Sequence, residues 1–182
     1  MKRIVLFLLW VNTTLALSCS KKDSTPAYPD GNGQGANPVK RPHGKPTGPA
    51  VSKQIGPSSG KLISTDGIIS LELPAGAIEA PVNFSIQPIE NTLLESPGKA
   101  YRLLPEGVQF SKPVTITYSL SDKEAKALNP DILFLAYQNA EGHHYLAANS
   151  EMNSTGDKVS VQTTHFSDWT IAELLEVVAD TT

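Results

Sequence analysis

The chain has one cysteine among its 182 residues, so no disulfide can form within it. It has little charge of either sign: the net charge is -3. Basic residues are scattered, with only short pairs such as Lys21-Lys22 and Lys40-Arg41. Phosphate backbones are held by clustered Lys and Arg, so nucleic acid is not an expected partner. No long hydrophobic run is present either. The apolar stretch from Ile4 to Val11 is broken by Asn12-Thr13-Thr14 and is too short to cross a hydrocarbon core of about 30 Å. The sequence also has no Gly-rich phosphate loop, no paired catalytic carboxylates and no hydrolase signature, so neither a conventional enzyme nor a cofactor is expected. His143-His144 is the one histidine pair; adjacent strand residues point to opposite faces and cannot chelate one ion together, so no metal is expected.

What is present begins with an export signal. Lys2 and Arg3 precede the Ile4–Val11 run, and Leu15-Ala16-Leu17-Ser18 leads into Cys19. Residues 1–18 therefore read as a removable signal peptide. The Leu-Ala-Leu-Ser-Cys ending resembles the bacterial lipobox, in the looser spacing used in the Bacteroidetes. That resemblance implies cleavage before Cys19 and its acylation, and buried acyl CH₂ groups hold a protein at a membrane. Ser20-Lys21-Lys22-Asp23 resembles the signal that sends such lipoproteins to the outer face of the outer membrane; the expected location is the outer membrane, facing the surface or the periplasm. Half of the 14 prolines lie between Pro26 and Pro57, with glycines interleaved and few large apolar residues. Residues 19–55 are accordingly expected to be a lipidated, disordered tether that holds the domain off the membrane. Asp23-Ser24-Thr25 resembles a Bacteroidetes O-glycosylation site, which makes Ser24 the candidate acceptor.

From residue 56 onward the hydrophobic period becomes two. Ile69, Leu71 and Leu73 alternate with polar residues, as do Val82, Phe84 and Ile86, then Val114, Ile116, Tyr118 and Leu120, then Val159, Val161 and Thr163. Each run puts one apolar face inward. Ile132–Tyr137 is continuously apolar, which predicts a central strand covered on both faces. A capping box, Ser121 with Glu124, predicts one short helix that Asn129-Pro130 ends. Short strands punctuated by Gly and Pro turns predict an all-β, antiparallel β-sandwich over residues 56–175, with a tail at 176–182.

Several motifs carry a family likeness. They are Ile69-Ser70-Leu71-Glu72-Leu73-Pro74-Ala75-Gly76-Ala77-Ile78, Leu104-Pro105-Glu106-Gly107-Val108-Gln109-Phe110, and His165-Phe166-Ser167-Asp168-Trp169. In this order they resemble the ZU-five domain of zonula occludens scaffolds, netrin receptors and ankyrins. The resemblance implies a β-sandwich used for protein association, so the leading expectation is an envelope or surface protein as partner. Some relatives cut themselves between the Phe and the Ser of a His-Phe-Ser sequence. By that likeness Ser167 would attack the carbonyl of Phe166, with His165 taking the hydroxyl proton. Read structurally, Phe166 packs in the core, Ser167 or Asp168 caps a turn, and Trp169 starts the last strand. A third expectation is a carbohydrate-binding module, with Tyr101, Tyr137, Tyr145 and Trp169 as an aromatic platform.

Overall fold

Period-two alternation lets a strand bury every second side chain, and the runs that alternate do become strands. A computed structural model describes residues 40–174. Cys19, Ser24, the signal segment, the tether up to residue 39 and the 176–182 tail lie outside them. In chain order the strands are β1 Val51–Ile55, β2 Gly60–Ile63, β3 Ile69–Leu73, β4 Val82–Ile89, β5 Ala100–Leu104, β6 Val114–Ser119, β7 Leu133–Gln138, β8 His144–Leu146, β9 Glu151–Met152, β10 Lys158–Thr163 and β11 Asp168–Glu173. They form a six-stranded sheet, β1-β4-β5-β11-β7-β8, and a five-stranded sheet, β2-β3-β6-β10-β9. Every pairing is antiparallel. The expected all-β sandwich is the fold of the described residues.

The core lies between the sheets. Ile69, Leu71 and Leu73 of β3, with Ile116 beside them on β6, form one core with Phe84, Ile86, Leu103, Leu135 and Ile171 of the other sheet, all fully or almost fully buried. Helix α1, Asp122–Ala127, carries the expected capping box: Ser121 Oγ accepts from the Glu124 amide, and Glu124 reaches back to the Ser121 amide. Gly76 holds φ +77° in the turn after β3, a conformation glycine adopts at little cost.

Two expectations need correction. The domain does not begin at residue 56. Val51–Ile55 pairs with β4 as an edge strand, and the Lys40–Ala50 segment ahead of it lies across the six-stranded sheet. Its bonds cross the strands in turn. Arg41 N donates to Gly142 O at 2.9 Å, Thr47 N to Pro88 O at 3.0 Å, and Glu90 N to Lys45 O at 2.8 Å. Gly44 sits so close to the Glu90 carbonyl that any Cβ would collide with it, which is why a Gly-rich stretch can be a strap rather than a free linker. The second correction concerns β7. It is flanked by β11 and the three-residue edge strand β8, and Phe134 and Tyr137 stay half-buried. The unbroken apolar run thus marks the penultimate strand of its sheet, not one covered on both faces.

A polar clamp ties the two sheets together. Asp66, in the β2–β3 turn, accepts from Tyr101 Oη at 2.7 Å, Ser64 Oγ at 2.7 Å and Lys99 Nζ at 3.0 Å. Burial pushes the Asp66 carboxyl up, but these three donors outweigh it and hold its pKa at about 2. A carboxyl depressed in the folded state adds stability above its unfolded pKa of about 4 and loses it as pH falls through the folded value. The melting temperature is therefore expected to fall between pH 4 and pH 2 in thermal scans followed by circular dichroism. Asp66→Asn should lower it at pH 7 and flatten that acid limb; an unchanged limb would remove Asp66 as its source.

Candidate functional site

β10 belongs to one sheet and β11 to the other, so the His165-Phe166-Ser167 segment is the crossing between them. Phe166 fills the core at that crossing, edge-on to Phe84 at 5.7 Å and against Phe110 at 4.9 Å. The Ser167 hydroxyl donates to the Gln138 carbonyl on β7, and the Ser167 carbonyl accepts from Leu103 N at 3.1 Å. The His165 ring packs elsewhere: it meets Tyr137 edge-on at 4.9 Å and stacks on Trp169 at 5.8 Å. Self-cleavage needs a base on Ser167 Oγ. Among the described residues the bond made by Oγ is to a carbonyl oxygen, which cannot take its proton. Mature protein is accordingly expected to give one intact mass under denaturing conditions, identical to that of Ser167→Ala apart from the substitution. A fragment ending at Phe166, absent from the variant, would make Ser167 a nucleophile.

Asp168 does not cap a turn. Its carboxylate, 5% exposed, faces the outer side of the six-stranded sheet and takes a bidentate pair from Arg102, Nε at 2.7 Å and Nη2 at 2.8 Å. His43 Nδ1 of the strap lies 3.0 Å from its other side, and Arg102 Nη2 also reaches Gly44 O at 3.2 Å. The Asp168 hydrogen bond raises the pKa of His43 above the usual histidine value. His144, nearby on β8, shifts the other way because burial and Arg41 disfavour its charged form. His143 and His144 follow the Gly142 hairpin turn, and His143 N donates to Asn139 Oδ1 at 2.8 Å. Among the described residues no group of three or more His, Cys, Asp or Glu could hold a metal ion.

The expected aromatic platform is partly assembled. Tyr101 is excluded from it: the ring is fully buried, edge-on to Tyr118 at 6.4 Å, with its hydroxyl spent on Asp66. Tyr137, Tyr145 and Trp169 do come together, because β7 pairs with β8 and with β11 in a register that sets Tyr137 opposite both. Tyr145 stacks on Tyr137 at 5.6 Å, and Tyr137 lies 5.3 Å from Trp169. His165 completes the strip, with Tyr145 and His165 as its exposed members.

The strip borders a cleft of about 320 Å³ between β7–β8 and β10. Tyr137, His165 and Trp169 line one side, and Asn149, Gln162 and Thr164 supply amide and hydroxyl groups. No Asp, Glu, Lys or Arg lines it among the described residues. Trp169 Nε1 is the one buried side-chain donor in the described residues without a hydrogen-bond partner. Sequence reasoning found three of the rings by composition. Asn149 and Gln162 gave no signal, since each is an ordinary polar residue until the fold sets the β8–β9 connection beside β10. Comparison with models of known protein families and with curated proteins finds no match to this chain.

Proposed function

We propose that this chain is a lipid-anchored envelope protein whose β-sandwich is a binding module, and that it binds carbohydrate in the cleft beside His165. The cleft carries this reading. A sugar has a weakly positive C–H face that packs on an aromatic ring, whose face is negative, and a rim of hydroxyls that need donors and acceptors. The Tyr145–Tyr137–His165–Trp169 strip and the uncharged amides and hydroxyls beside it offer both. The size falls in the usual range of small-ligand sites, about 300–1,000 Å³.

Protein association, which the family likeness implies, is the second reading, and the β8 edge favours it. This three-residue strand ends its sheet, and its middle residue, Tyr145, is 41% exposed and of a type interfaces favour.

Mature protein, in detergent, is expected to retain neutral glycans on a printed array, and Tyr145→Ala and His165→Ala should weaken retention without lowering the melting temperature. An array with no retained glycan would set the carbohydrate reading aside and turn attention to cross-linked partners of β8. The anchor has its own check: Cys19→Ser should move the protein from the detergent phase to the aqueous phase on phase partitioning.

A further inference from the structure

The cleft does not end at Asn149. A second groove of about 330 Å³ adjoins it on the outer face of β10 and β6, and the two share Asn149, Val161 and Gln162. Asn149 is fixed at the junction, donating from Nδ2 to Gln162 O at 2.9 Å. This bond occupies a β10 carbonyl beyond the point where β9, which pairs only with Val159 and Ser160, runs out. The second groove has no aromatic side chain. Thr115, Ser160 and Glu151 line it with hydroxyls and one carboxylate. The trough therefore runs from a stacking end at His165, through a middle of amides, to a hydrogen-bonding end at Glu151.

From this we infer that the trough holds an uncharged oligosaccharide of two or more sugar residues, lying along β10 with one ring stacked at the His165 end. The inference rests on the carbohydrate reading above and adds length, direction and charge. Length follows from the adjoining grooves, since one sugar ring cannot occupy both. Direction follows from their unlike chemistry: a ring without an aromatic partner must be held by its hydroxyls alone, which Ser160, Thr115 and Glu151 can bond. Charge follows from Glu151, which accepts from hydroxyls and repels a uronic acid, while no Lys or Arg lines either groove among the described residues to compensate.

The test titrates mature protein, in detergent, with mono- to tetrasaccharides of glucose, mannose and N-acetylglucosamine, and with galacturonate oligomers of the same lengths, by calorimetry. For the sugar that binds, affinity should rise about tenfold from one residue to two or three, as one or two added hydrogen bonds would give. Ser160→Ala should erase much of that rise; His165→Ala, at the stacking end, should weaken every length alike. Equal affinity at all lengths would overturn the extended trough and leave a one-sugar cleft standing. Tighter binding of galacturonate oligomers would overturn the assignment of charge. No binding anywhere in the panel would remove both this inference and the carbohydrate reading.

Discussion

Asp168→Asn is expected to lower the stability of the domain by about 3 kcal/mol, the cost of leaving one member of a buried ion pair without its partner. Asparagine keeps the shape of the side chain but loses the charge, and sets an amide donor where Arg102 presents its own donors. Among the described residues Arg102 would keep the Gly44 carbonyl and, as its one charged partner, Glu106, at 3.8 Å and mostly exposed, which is worth far less. The loss should show as a lower denaturation midpoint with an unchanged slope against urea. It should also show locally. Asp168 holds His43 directly and Gly44 through Arg102, so the amides of Arg41, Thr47 and Glu90 should exchange faster with solvent than those of β6. A pH dependence accompanies this. The His43 pKa is raised in the folded state, so its contribution is full below about 6.5 and is lost as pH rises through the folded value. Strap protection, corrected for intrinsic exchange, is expected to fall between pH 6 and pH 8, and Asp168→Asn should abolish that change. Uniform protection across this range would mean that the strap is held by its backbone bonds alone.

Phe166→Ala is expected to cost about 3–5 kcal/mol, the range for removing a large aromatic side chain from a packed core. Phe166 meets Phe84 and Phe110, and all three rings are buried where the chain passes from one sheet to the other. A cavity there cannot close easily, since Phe84 is fixed by β4 and Phe110 by the turn that bonds Ser111 N to Ala77 O at 2.9 Å. Against a total of about 5–15 kcal/mol for a domain, such a loss leaves little margin. Ser167→Ala should cost only about 1 kcal/mol, the net worth of one hydrogen bond. Chemical denaturation of both variants gives the comparison. If instead Ser167→Ala proved the more damaging, the motif would owe its place to the hydroxyl rather than to the aromatic core.

The alternating runs were legible in advance because alternation is a local property. Ile69–Leu73, Val82–Ile86, Val114–Tyr118 and Val159–Thr163 each announce a strand and its buried face, and Ser121 with Glu124 announces a helix start. Composition misled at the amino-terminal side. Pro42, Gly44, Pro46 and Gly48 look like tether, and nothing nearby in sequence supplies the bonds that hold them. Those come from Gly142, Asp168, Arg102 and Pro88. Asp168 is 66 residues from Arg102 and 125 from His43, so the network exists only once the sheet order is set. The same holds for the cleft. Tyr137, Tyr145 and Trp169 could be named as aromatics, but Tyr101 has the same local pattern and is core, because its neighbours on β6 and in the β2–β3 turn close over it.

The strap has a mechanical meaning. If lipid at Cys19 holds the chain, tension on the domain enters at Lys40, upstream of every bond the strap makes. Those bonds lie in series across β7, β11, β5 and β4, so a pull meets them one after another, as in peeling tape, and not as a set sharing the load. Arg41 would yield first, then His43 at Asp168, then the Lys45 and Thr47 contacts, before β1 itself was stressed. Each bond released lengthens the leash while the sandwich stays whole. The domain would thus absorb a tug by paying out a few residues of chain, and recover them when the force passed.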